Sequence, residues 1–261
     1  MDSVRTVSDT KREFYSLYTR PIDSIFRRVV EELLVEMHLL SVNADFEHDA
    51  IYSLGVVTAF DRFMVGYRTD SERDAIFSAI CQATGRTVEQ YRNEAQGLLG
   101  SLGGLSADDL KATLEQTDAS NPFKDALAKF SQRERFKYSR LFGIGLWTAI
   151  EAIAPDFATE REDRESVLGS IEKMLGLGGD KLKKDVDLYR GNVEKMKLAR
   201  EAMAEAVAAE RKKRDKRQAE IAAKKAAAEA SEDGTAEATG STETTEEAKA
   251  ESPADAVEAE S

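Results

Sequence analysis

His38 and His48 are the only histidines, and Cys81 the only cysteine, in this chain of 261 residues. These are the side chains that could carry nucleophilic or metal chemistry, so their neighbours decide what chemistry is open. A zinc site from one cysteine and two histidines would need carboxylates to complete it. Glu31, Glu32 and Glu36 precede His38, which invites comparison with a di-iron bundle, where Glu-x-x-His places both ligands on one helix face. Here the residue three before His38 is Val35, and Glu36 at a spacing of two falls on a different face. No metal or other cofactor is expected. Neither histidine stands in a recognisable nucleophile motif, which needs a base oriented by a third group. His48, beside Asp49 at a helix start, reads as a capping or charge-assisted contact. Cys81, beside Ile80, reads as a small buried apolar residue. Gly143-Ile-Gly145 follows no strand and has no Lys-Ser/Thr after it, so it reads as a point of close helix approach rather than a phosphate cradle. No catalytic residue is expected, and the chain is read as non-enzymatic.

Charge is the stronger signal. The formal net charge is −12, from 37 Lys+Arg against 49 Asp+Glu. Residues 226–261 hold 11 acids and one base, residues 181–225 hold 15 bases and 8 acids, and residues 1–180 hold 21 bases and 30 acids. The densest basic run is Arg211, Lys212, Lys213, Arg214, Lys216 and Arg217. It is open to three readings: a solvated helix surface with Glu210–Arg214 and Glu220–Lys224 pairs; attraction to an anionic membrane; and nucleic acid. At about 1 kcal/mol per base, the membrane reading is worth at most ~6 kcal/mol. Nucleic acid ranks last, because no aromatics interleave with the bases and the acidic body repels phosphate. A second cluster, Arg20, Arg27, Arg28, Glu31, Glu32 and Glu36, is either a partner face or a set of intramolecular pairs. Arg27–Glu31 and Arg28–Glu32 fall at i,i+4 spacing, and pairing is the favoured reading.

The elements that must position these groups read as helices throughout. Pro21 sits near the start of a pattern, Ile22, Ile25, Phe26, Val29, Val30, Leu33, Leu34, Met37 and Leu40, that defines one apolar face. A second helix spans 49–64. Ser71-Glu-Arg-Asp74, Thr87-Val-Glu-Gln90 and Ser106-Ala-Asp-Asp109 read as capping boxes. Asn121-Pro122 launches an apolar stretch through Trp147 to Ile150, and a further helix spans 159–175. No alternating β-branched run argues for a strand. From Leu182 a seam steps by four and three through Val186, Tyr189, Val193, Met196, Met203 and Val207, interrupted at Arg200. Residues 181–229 as one helix would measure about 73 Å, so part of it projects or lies on a partner. The seam fits either its own body or another chain, so the oligomeric state stays open. Residues 231–261 are too poor in apolar side chains to fold and read as disordered. No run of 18 apolar residues suggests a membrane span, and residues 1–12 lack a secretory apolar stretch. The expected class is all-α: an N-terminal arm (1–12), a single globular helical domain (13–180), a long projecting coiled-coil-like helix (181–229) and a disordered acidic tail (230–261).

Six ordered blocks carry a resemblance. They are Thr6-Val-Ser-Asp-Thr-Lys11; Thr19-Arg-Pro-Ile22; Val30-Glu-Glu-Leu-Leu-Val-Glu36 running into His38-Leu-Leu-Ser-Val-Asn43; Tyr52-Ser-Leu-Gly-Val-Val57; Phe63-Met64 with Gly66-Tyr67; and Lys137-Tyr-Ser-Arg-Leu-Phe142 with Gly145-Leu146. Together they resemble the thylakoid formation protein family, the photosystem II biogenesis proteins of cyanobacteria and plastids. The resemblance covers most of residues 5–150 and the seam, but not the tail. It implies an all-α accessory protein without catalytic residues, acting in photosystem II assembly and repair and in thylakoid organisation. It also implies a peripheral place on the cytoplasmic face of the thylakoid membrane, and a thylakoid FtsH-type protease and photosystem II assembly components as partners.

Overall fold

The computed structural model describes residues 5–115, 120–131 and 135–233. The elements are α1 (Val7–Leu17), α2 (Ser24–Ser41), α3 (Ala50–Phe63), α4 (Asp70–Ala83), α5 (Val88–Leu102), α6 (Ala107–Leu114), α7 (Pro122–Ser131), α8 (Arg140–Ile153), α9 (Pro155–Thr159), α10 (Arg161–Met174) and α11 (Lys181–Asp233). No strand occurs among the described residues, so the all-α expectation holds. Contacts divide the chain into two units, Met1–Ala202 and Met203–Ser261. The acidic tail beyond residue 233 lies outside the described residues.

In the first unit the core is organised on α3, which packs against both α8 and α5. Burial is nearly all-round on α3, taking in Ile51, Tyr52, Ser53, Leu54, Val56, Thr58, Ala59 and Phe60. On α8 it takes in Leu141 through Trp147, with Ala149, Ile150 and Ile153. Helices apolar all round belong at a core centre. Two glycines let α3 and α8 touch backbone to backbone. A Cβ on Gly145 would lie 1.8 Å from the Ile51 carbonyl oxygen, and one on Gly55 1.7 Å from that of Leu141. Gly145 is thus the close-approach residue its spacing suggested.

Helix starts follow local chemistry. Thr6 with Asp9, Thr87 with Gln90 and Ser106 with Asp109 form reciprocal capping boxes, each satisfying otherwise free N–H groups. Three expectations shift. The cap of α4 is Thr69, whose hydroxyl accepts from the Glu72 N–H, and not Ser71. Helix α2 begins at Ser24, which leaves Pro21 outside it; its N-cap Asp23 makes no side-chain cap, because Arg68 donates to both its oxygens at 2.5 and 3.1 Å. The aromatic stretch after Asn121 forms two helices. Ser139 restarts the second by accepting from the Phe142 N–H at 3.0 Å, while Phe130, Phe136 and Phe142 cluster at centroid spacings of 4.7–5.3 Å.

Residues 7–17, placed by sequence partly in an arm, form α1, which buries Thr10 and Phe14. The start of α11 belongs equally to the first unit. Leu182, Val186 and Tyr189 are buried in its core, with Val193 and Met196 packed against it. The Glu172 carboxylate of α10 accepts from the Leu182 N–H at 2.6 Å and so caps α11.

Candidate functional site

The α2 charge cluster is largely consumed in pairing. Glu36 accepts from Arg140 at 2.8 Å and from the Leu141 N–H at 3.3 Å, tying α2 to the N-terminus of α8. A carboxylate there is favoured by the helix dipole. Arg20 reaches Glu72 at 3.0 Å, and Arg28 reaches Glu32 at 2.8 Å, as i,i+4 spacing predicted. Glu31 pairs with Lys11 at 3.6 Å and accepts from the Tyr15 hydroxyl at 3.0 Å, instead of pairing with Arg27. Arg27 is exposed and makes no ion pair among the described residues. It lines an open groove of about 960 Å³ between α2 and residues 137–140, together with Lys137 and Arg140. A second groove of about 510 Å³ runs between α2, α8 and residues 188–199 of α11, floored by Leu33, Phe63, Leu141 and Ile144.

Both histidines are engaged. His38 Nδ1 lies 2.8 Å from the Thr10 hydroxyl, joining α2 to α1. Burial lowers its pKa, with Arg5 adding to the effect and Asp9 opposing it. His48 Nε2 sits 2.7 Å from Ser53 Oγ and 2.6 Å from Glu94, whose other oxygen accepts from Arg86 at 2.6 Å. Burial lowers the His48 pKa and outweighs the opposing hydrogen bond to Glu94. Burial pushes Glu94 up, but bonds from Ser53 and His48 and the Arg86 charge leave it below the usual value. Although serine, histidine and glutamate meet here, the arrangement is not a relay. A triad places its carboxylate on the ring nitrogen opposite the serine, whereas here both meet Nε2, and Ser53 is fully buried. The cluster joins the start of α3 to α5. Sequence reading missed it because Ser53 and Glu94 are 41 positions apart; only Arg86 and Glu94, at i,i+8 across a helix start, gave a local hint. Burial pushes the Cys81 thiol up to about 12. Among the described residues, no group of three His, Cys, Asp or Glu could hold a metal ion, and no helix is long and apolar enough to cross a membrane.

In the second unit Arg211, Lys212, Lys213, Arg214, Lys216 and Arg217 are all exposed on α11. Among the described residues neither Glu210–Arg214 nor Glu220–Lys224 closes to an ion pair, so the bases stay free for solvent or an anionic partner. The seam divides at Arg200, which donates to the Val65 carbonyl at 2.5 Å. Before it Leu182, Val186 and Tyr189 are buried and Val193 and Met196 half-buried; after it Met203 and Val207 are exposed.

Comparison with known proteins fits this architecture. The family model described as "Thylakoid formation protein" matches residues 6–218. A protein Thf1 of Crocosphaera subtropica is 49% identical over 214 residues, covering 82% of this chain and 88% of the relative. One of Rippkaea orientalis is 49% identical over 226 residues, covering 85% and 96%. A solved structure described as Psb29 at 1.55 Å superposes with a TM-score of 0.69 at 40% identity, covering 80% of this chain and 98% of that one.

Proposed function

Because this chain belongs to the thylakoid formation protein family, we propose that it is a non-enzymatic accessory of photosynthetic membrane biogenesis, acting in thylakoid organisation and in photosystem II assembly and repair. The observation that carries this reading is the family match across residues 6–218, nearly the whole described chain. Finer in scale, the protein binds and supports a thylakoid FtsH-type protease from the cytoplasmic face of the membrane, as a peripheral protein with a soluble pool. The engaged state of both histidines supports a scaffold rather than a catalyst. Arg27, exposed and unpaired at the rim of the α2 groove, is the member of the charge cluster left for a partner; Arg20, Arg28, Glu31, Glu32 and Glu36 serve the fold. The test is purification from solubilised thylakoids. FtsH-type subunits should co-purify with the wild-type protein and be lost from the Arg27→Glu variant at unchanged melting temperature. Recovery of the wild-type chain only as a free species, with normal protease levels in a deletion strain, refutes the reading.

A second reading rests on the free bases of α11: direct contact of Arg211, Lys212, Lys213, Arg214, Lys216 and Arg217 with anionic lipid. Flotation with anionic vesicles at ~0.15 M salt tests it, where surface electrostatics act over ~8 Å. Binding unaffected by reversing residues 211–214 to Glu rejects it.

A further inference from the structure

The seam does not end where its burial ends. Continuing the alternating steps of four and three from Met203 gives Val207, Glu210, Arg214, Arg217 and Ile221. All lie on one continuous helix, and all are exposed. Met203, Val207 and Ile221 are 56%, 50% and 61% exposed, large apolar side chains on a single stripe that no other helix covers among the described residues. The charges between them discriminate among occupants. A parallel second copy would set Glu210 against Glu210, Arg214 against Arg214 and Arg217 against Arg217, three like-charge layers in a row. An antiparallel copy centred on Arg214 sets Val207 level with Ile221 and brings Glu210 within one residue's rise, about 1.5 Å, of Arg217, each twice by symmetry. One like-charge layer, Arg214 on Arg214, remains at the centre. Its long side chains can turn their charged ends to solvent, and a glutamate-containing layer flanks it on each side.

We propose that residues 203–221 of α11 form a self-complementary surface that pairs antiparallel with the same segment of a second copy of this chain. Polar groups at seam positions specify register at a cost in stability, and charge complementarity along the paired faces selects partner and orientation. The isologous pattern, in which residue i meets j and j meets i, is what a two-fold dimer requires. Residues 203–225 carry eight bases and four acids, so two copies repel at long range. At ~0.15 M salt that repulsion is screened beyond ~8 Å, while contacting pairs persist. The pairing is therefore expected to tighten as salt rises from ~0.01 to ~0.15 M. This surface is distinct from the α2 groove; it shares Arg214 and Arg217 with the lipid reading but requires neither that reading nor the protease one.

Disulfide trapping tests it on the full chain, because Cys81 is buried and does not compete. In the antiparallel register Val207 of one copy faces Ile221 of the other. Two copies of Val207 then lie 14 residues apart along the seam, about 21 Å, out of disulfide reach. Mixing Val207→Cys with Ile221→Cys protein under mild oxidation should give a cross-linked dimer, and neither variant alone should. Sedimentation equilibrium is the second measurement. Arg214→Leu should lower the dimer dissociation constant at least tenfold, and Glu210→Lys should raise it at least tenfold. Mixing Glu210→Arg with Arg217→Glu should restore the dimer that each loses alone. Cross-linking of Val207→Cys to itself, or a monomer that Arg214→Leu leaves unchanged, overturns the proposal.

Discussion

Gly145→Ala is the sharpest perturbation of the core, because two opposing effects predict opposite signs. Alanine is the better helix former by about 1 kcal/mol, so propensity alone makes the variant more stable. The structure says otherwise. The new Cβ would lie 1.8 Å from the Ile51 carbonyl oxygen and 2.7 Å from the Gly55 nitrogen, both main-chain atoms that no rotamer change can move. A carbon–oxygen contact needs about 3.3 Å, so α3 and α8 must part by about 1.5 Å at this point. A gap of even 0.5–1 Å forfeits a quarter to a half of each dispersion contact along an interface. Overpacking costs about 1–3 kcal/mol and more where the backbone must shift, so about 3–4 kcal/mol is expected here. Net of propensity, the variant loses about 2–3 kcal/mol. For a unit of this size that lowers Tm by about 4–12 °C, read by far-UV circular dichroism. Gly97→Ala on α5 is the control: nothing lies within 4 Å of its added Cβ, so it should gain up to about 1 kcal/mol. A Gly145→Ala protein melting at or above the wild type would falsify the close-approach account.

Glu36→Gln strands the half-buried Arg140 guanidinium and weakens the cap on Leu141. It should cost about 1–3 kcal/mol in denaturant titrations, whereas Glu32→Gln, which breaks only the exposed pair with Arg28, should cost no more than about 0.5 kcal/mol. His38 and His48 have folded pKa values below the ordinary histidine value. Unfolding therefore takes up protons as pH falls below about 6.5, and stability declines from there downward by at most about 1.4 kcal/mol per pH unit per group. His48→Gln should flatten that slope; an unchanged slope between pH 7 and 5 counts against the burial argument. Cys81 should give no colour with a thiol reagent at pH 8 until denaturant unfolds the core, since its thiol is buried and titrates near 12.

The sequence made the helical class legible because helix periodicity and capping are local. Thr87 with Gln90 and Ser106 with Asp109 are each three residues apart, and their boxes form as spaced. Gly145 was legible as a packing residue because a mid-helix glycine has few other uses. Positions that depend on distant partners were not. Asp23 stands where a cap should act, but Arg68, 45 residues away, takes its carboxylate. Glu31 had a suitable cation at i−4, yet α1 brings Lys11 and Tyr15 to it instead. His48 was legible as a charge-assisted contact, but its partner Glu94 lies 46 positions away, so the His48–Ser53–Glu94 cluster itself was not. Its chemistry also turns on which ring nitrogen is met, a matter of rotamers rather than residue types.

The seam of α11 shows the same limit within a single element. Spacing of four and three specifies a face but says nothing of what covers it. From Leu182 to Tyr189 the face is buried in the chain's own core, and Val193 and Met196 pack half-buried against it, which accounts for the apolar residues there. Arg200, which interrupts the pattern, marks the change: its guanidinium bonds the Val65 carbonyl at the edge of the first unit. Beyond it the same spacing continues with one acid, Glu210, and two bases, Arg214 and Arg217, and fixed charges distinguish one partner orientation from another in a way that apolar layers do not. A seam meant only for solvent gains nothing from keeping Val207 and Ile221 in register across 14 residues. Nor does it gain from setting between them a glutamate, Glu210, that an inverted copy brings close to Arg217.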